Sequence, residues 1–138
     1  MIVRKLNDVK EFPVTQLVYK GETLSMEGVT IKWLIHKGVG DADYKHNFAM
    51  RYFTVKPNYI IPIHDHEYVE GIFVLTGKLK IVSGESEAII EAGDVLYVPS
   101  WEPHSLECIS EEEATFICCI DCLGDKGNCM PGIKTNKC

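Results

Sequence analysis

Apolar and polar residues alternate with a period of two along most of this chain. In GVTIKWLIHKG, Ile31, Trp33 and Ile35 fall on one side and Thr30, Lys32 and His36 on the other, the spacing of a strand with one buried face. FAMRYFTVKP is a second strand, closed by Pro57 and Asn58. Ala49, Arg51, Phe53 and Val55 share one of its faces, and Phe48, Met50, Tyr52 and Thr54 the other. Residues 60–66 form a third, and Pro62 within it marks an edge or a bulge. GIFVLTG is apolar on both faces, which predicts a sheet covered on both sides, as in a sandwich that also dimerises. Residues 79–82 and 88–90 flank a Ser83-Gly84-Glu85-Ser86 turn as a hairpin, and Gly93-Asp94 turns the chain into VLYVP. Residues 105–108 and 114–120 add two strands on either side of the acidic Ser110-Glu111-Glu112-Glu113 loop. No segment keeps a helical period beyond one turn near residues 7–12. Many short strands bounded by turn residues predict a β-sandwich or small barrel.

Composition narrows the function classes. At 138 residues and 46% hydrophobic, the chain is one domain with a proper core and too apolar to be disordered. A net charge of −6 without a basic cluster argues against nucleic acid as a partner. No apolar run approaches the ~20 residues of a membrane span, so no membrane partner is expected. The start, MIVRKLNDVKEF, lacks an apolar targeting core. A cytoplasmic protein with mostly reduced thiols is therefore expected.

Histidine and carboxylate spacing supplies the candidate chemistry. His64 and His66 stand two apart, so on a strand both imidazoles project to one side, and Glu70 keeps that parity if the strand continues. His104 opens a different strand, just after Pro103. Three imidazoles and one carboxylate make a site for one divalent transition metal, with Fe, Mn, Ni, Co and Zn all compatible.

The turn residues around these ligands resemble the motifs of the cupin superfamily. Its first motif, G-x5-H-x-H-x3,4-E-x6-G, is matched by His64, His66, Glu70 and Gly77, with Asn58 in place of the first Gly. Asn tolerates positive φ, so that turn can survive. Its second motif, G-x5-P-x-G-x2-H-x3-N, is matched by Gly93, Pro99 and His104, with Trp101 for the internal Gly and Cys108 for the Asn. The resemblance spans about residues 29–120. It implies an all-β jelly-roll barrel (a double-stranded β-helix) with His64, His66, Glu70 and His104 holding a metal inside. It also implies a homodimer, since small cupins commonly pair through their outer sheets. The boundaries expected are a lead-in over 1–28 that partly joins the sheet, a barrel over 29–122 and an irregular Cys-rich tail over 123–138.

Four further residues are candidates for the substrate pocket: Arg51, Tyr68, Trp101 and Cys108. Arg51 shares a face with core residues, so it either meets an acidic ligand or pairs with an acidic side chain. Trp101 either turns into the pocket or packs outward. Cys108 is either a small buried residue or a pocket thiol. His36 and His46 read as surface or loop residues. Five of the six cysteines lie from Cys118 onward. Cys119-x2-Cys122 is a chelating spacing, and with Cys129 and Cys138 it reads as a second metal site, a disulfide or redox pair, or unpaired thiols. Oxygenase and isomerase or lyase chemistry both occur among cupins. The functional expectation is a metalloenzyme acting on a small polar or acidic molecule, with a non-catalytic binding or sensing module as the alternative.

Overall fold

The computed structural model describes residues 1–40, 46–123, Cys129 and Pro131. Alternation becomes strands as anticipated over Val29–Ile35 (β4), Phe48–Val55 (β5), Ile60–His64 (β6), Glu70–Thr76 (β7), Lys78–Ser83 (β8), Ser86–Glu91 (β9), Val95–Val98 (β10), His104–Cys108 (β11) and Ala114–Asp121 (β12). Three short strands precede them: Glu11–Pro13 (β1), Gln16–Tyr19 (β2) and Glu22–Ser25 (β3). A turn of 3-10 helix covers Leu6–Asp8. One sheet runs β1-β4-β5-β12-β7-β10 and a second β6-β11-β8-β9, with β2-β3 as a separate hairpin. Each pairing is antiparallel. This is an all-β jelly roll.

The two inner faces build the core. Along β5, Ala49, Arg51, Phe53 and Val55 are all buried while Met50, Tyr52 and Thr54 are only partly so, as the period of two requires. Phe53 and its cross-strand partner Phe116 stack at 5.2 Å between centroids. Ile61, Leu79, Ile81, Ile90 and Leu106 close the core from the smaller sheet. Gly77 turns the chain from the larger sheet into the smaller at φ +75, and backbone atoms of Glu113 and Ala114 fill the space a Cβ would need.

β6 is an edge strand, as Pro62 indicated. β7 alternates as its sequence indicated. Ile72 and Val74 are buried, but Phe73 and Leu75 are 46% and 39% exposed on the outer face. Asn58 occupies the left-handed region at φ 68, doing the work of the motif glycine.

Candidate metal centre

The sheet register brings the histidines together. His64 ends β6, His104 begins β11, and the two are direct cross-strand partners. Their rings lie side by side, 4.3 Å between centroids. His66 and Glu70 arrive by a route the alternation did not foresee. β6 stops at His64, residues 65–69 cross between the sheets, and Glu70 opens β7 in the larger one. The crossover, not a continuous strand, causes the convergence. Backbone bonds tie it down: Trp101 N donates to His66 O at 2.8 Å, and Ser100 Oγ donates to Glu67 O.

His64, His66 and His104 are buried at 3%, 1% and 1% exposure. Nδ1 of each lies 2.8 Å from a backbone carbonyl two residues away, that of Pro62, Tyr68 and Glu102 respectively. A carbonyl only accepts, so each Nδ1 carries a proton, which leaves Nε2 as the nitrogen whose lone pair a metal would take. The candidate ligand atoms of the three rings all lie within 4.8 Å of one another. Nε2 of His66 and of His104 is buried with no hydrogen-bond partner among the described residues.

Glu70 lies beside two of the three rings. Its Oε2 is 3.4 Å from His66 Nε2 and its Oε1 3.8 Å from His104 Nε2. Lone pairs facing a carboxylate repel, and a cation between them relieves that repulsion. These donors, two orphaned nitrogens among them, fit a divalent transition metal.

Electrostatics keep the donors in ligating form. Burial and the neighbouring His64 lower the His104 pKa to about 4, against the pull of Glu70 and the Glu102 carbonyl. Burial alone would raise Glu70, but the Arg51 guanidinium, a permanent cation 3.2 Å from Oε2, pulls it below the usual carboxylate range. Both shifts stabilise the fold above the unfolded-state pKa and are lost on acidification. The unfolded chain takes up protons at His104 below pH 6.5 while the folded chain resists until about 4. Glu70 adds the same sign below about 4.5, the ordinary value for its carboxyl. Thermal melts of chelator-treated protein should therefore give a midpoint that falls steadily from pH 6.5 to 4 and further below. A flat profile across that window would contradict the buried neutral cluster.

Around the donors, Arg51 is fully buried. Its Nη2 donates to Glu70 Oε2 at 3.2 Å and to Cys118 Sγ at 2.9 Å. It therefore takes the acidic-side-chain alternative left open by the sequence. Tyr68 is buried and stacks on His66, 3.9 Å between centroids. Trp101 turns outward at 57% exposure and holds φ 63, a left-handed conformation unusual for a bulky residue. Cys108 ends β11, at the opposite end of that strand from His104, with Sγ 3.4 Å from Glu112 O. Trp101 and Cys108 thus do not join the cluster.

Cys118 does, and the sequence reading had not singled it out. Its cross-strand pairing with Arg51 was the available signal, but that needs the strand order. Burial pushes its thiol well above the usual range, despite the pull of Arg51, so it stays protonated. The Cys119-x2-Cys122 chelate does not form. Cys122 is joined to Cys129 in a disulfide, and Cys119 is a free, partly exposed thiol. Cys138 lies outside the described residues. The disulfide also departs from the expectation of reduced thiols, since such bonds persist chiefly in oxidising compartments. Among the described residues no helix is long and apolar enough to cross a membrane.

Comparison with known proteins agrees with this architecture. The cupin domain family model matches residues 51–120. The chain belongs to the cupin family. No curated protein matches its sequence. Among solved structures, the polyketide cyclase RemF from Streptomyces resistomycificus is similar at 25% identity and TM-score 0.70, covering 88% of this chain and 80% of that one. A cupin-2 domain protein from Rhodospirillum rubrum aligns at 21% identity and TM-score 0.66 over 88% of this chain and 74% of its own. A predicted oxalate decarboxylase from Thermotoga maritima aligns at 20% identity and TM-score 0.66 over 88% and 98%.

Proposed function

We propose that this cupin holds one divalent transition metal through His64, His66, Glu70 and His104 and is an enzyme acting on a small polar molecule. The observation that carries the reading is the set of three carbonyl-anchored, buried imidazoles with ligand atoms within 4.8 Å of one another, two of them beside the Glu70 carboxylate. A metal there would supply Lewis-acid polarisation or oxygen activation.

The protein's own groups do the positioning. The Pro62, Tyr68 and Glu102 carbonyls fix the imidazole tautomers. Arg51 holds Glu70 Oε2, leaving Oε1 towards His104. Tyr68 covers the face of His66 and excludes water from it. A cavity of about 220 Å³ reaches His104 between β8, β9 and β10. Its polar groups include Ser83, Ser86, Glu87 and Glu102. Hydroxyls and carboxylates favour a neutral polar substrate over an acid, and the buried cation, Arg51, is engaged with Glu70. The family's dimer would use the outer face of the larger sheet, where Phe73, Val95 and Tyr97 are 46%, 70% and 64% exposed.

The test is elemental analysis of protein purified without a metal-affinity tag. About one transition metal per chain is expected, and the His64→Ala, His104→Ala double variant should lose it while remaining folded by circular dichroism. Retention of the metal by that variant would overturn the site. Turnover of small sugars and acids, with oxygen uptake recorded, separates oxygenase from isomerase or lyase chemistry. Tight binding without turnover would make the protein a sensor.

A further inference from the structure

A second cavity lies outside the barrel, where the N-terminal segment crosses the outer face of β4 and β5. Its volume is about 440 Å³, within the roughly 300–1,000 Å³ of small-molecule sites. Its walls are apolar: Leu6 and Val9 from the segment, Leu34 and Ile35 from β4, Met50 from β5. Among the described residues, the charged or titratable side chains lining it are Arg4 and His46, both basic, in a chain of net charge −6.

These two groups are held in place. Arg4 Nη1 donates to the Trp33 carbonyl at 2.9 Å and also to that of Leu34, so its charge is fixed at the cavity wall. Lys32 Nζ donates to Leu6 O at 3.0 Å, pinning the same segment. His46 Nδ1 lies 3.2 Å from Phe48 O, which directs Nε2 to the other side of the ring. That Nε2 is buried and has no hydrogen-bond partner among the described residues. His36 stands close enough for Arg4 and His46 to add to the lowering of its pKa by burial, so the basic groups form one cluster.

We infer that this cavity binds a small amphipathic carboxylate, its hydrocarbon part against Leu6, Leu34, Ile35 and Met50 and its headgroup between Arg4 and His46. A carboxylate answers the fixed guanidinium with a charge-assisted bond. The unpartnered His46 Nε2 lines the same cavity. The rest of the molecule gains by leaving water for apolar walls. An amphipathic amine of the same length meets the same walls but faces Arg4 with like charge.

Calorimetric titration of the full-length, metal-loaded protein with decanoate tests this, with decylamine as the charge-reversed control. Saturable binding of decanoate at one per chain is expected, with decylamine at least about tenfold weaker. Arg4→Gln should weaken decanoate by about tenfold or more, and Met50→Trp, which fills the cavity, should abolish binding. Both variants should keep the wild-type metal content, which separates this site from the barrel. No saturable binding, equal binding of the amine, or full binding by Met50→Trp would overturn the inference. So would a dimer in sedimentation that Leu6→Glu converts to monomer, since the cavity would then be an interface between copies.

Discussion

Arg51→Met should destabilise the metal-free protein by about 3–5 kcal/mol, the cost of removing one partner of a buried ion pair. For a chain of this size that corresponds to a midpoint lower by roughly 10–20 °C. Methionine fills much of the volume, so packing against Trp33, Phe53 and Tyr68 is largely kept. What is lost is the charge at 3.2 Å from Glu70 Oε2 and the donor to Cys118 Sγ. Glu70, 4% exposed, would then sit beside the imidazoles without its cation. Protonation of the carboxyl limits the cost but spends the ionised form a metal needs. A divalent metal bound by Glu70 would replace the missing charge. The same substitution should therefore cost metal-loaded protein clearly less than chelator-treated protein, with Arg51→Lys between Met and wild type. Melts with and without chelator read both. Equal losses in the two states would remove Glu70 from the ligand set, whatever became of the histidines.

Much of this arrangement was readable in the sequence, and the unread part has a common cause. Parity along β5 placed Arg51 among core residues, because a strand's side chains alternate whatever the strand pairs with. Asn58 and Gly77 announced their turns because few residues tolerate positive φ. His64 and His104 could be named as ligands from motif spacing, but their being direct cross-strand partners depends on the β6–β11 register. Glu70 shared the parity of His64 and His66 only if the strand continued, whereas residues 65–69 change sheets between His64 and Glu70. Alternation alone carries no information about where a chain leaves its sheet. Cys118 was grouped with the C-terminal cysteines and not with Arg51 for a related reason. Its meaning comes from β12 lying beside β5, a pairing across 67 residues of sequence separation. Trp101 shows the opposite limit: a substitution at a motif glycine signals that something differs but not in which direction the ring turns.

Gly77→Ala is the second large effect expected, and a matched control isolates its cause. At φ +75 an L side chain costs about 1–2 kcal/mol. A Cβ there would also lie 2.7 Å from both Ala114 Cα and Glu113 O. Neither is a flexible side-chain end that can swing away. Ala114 opens β12, is fully buried and pairs with Val55 of β5. The corner between the two sheets must therefore lift off β12, and such overpacking adds about 1–3 kcal/mol. The total is about 2–5 kcal/mol. Gly84, in the β8–β9 turn, has φ +58 but nothing within 4 Å of its Cβ position. Gly84→Ala should thus show the backbone cost alone, about 1–2 kcal/mol. Denaturant unfolding of both variants measures the difference, which belongs to the collision with β12. Because Gly77 and Glu70 stand at opposite ends of β7, the folded fraction of Gly77→Ala should still bind about one metal per chain. Equal destabilisation of the two variants would mean that the corner yields freely and that backbone conformation alone keeps glycine there.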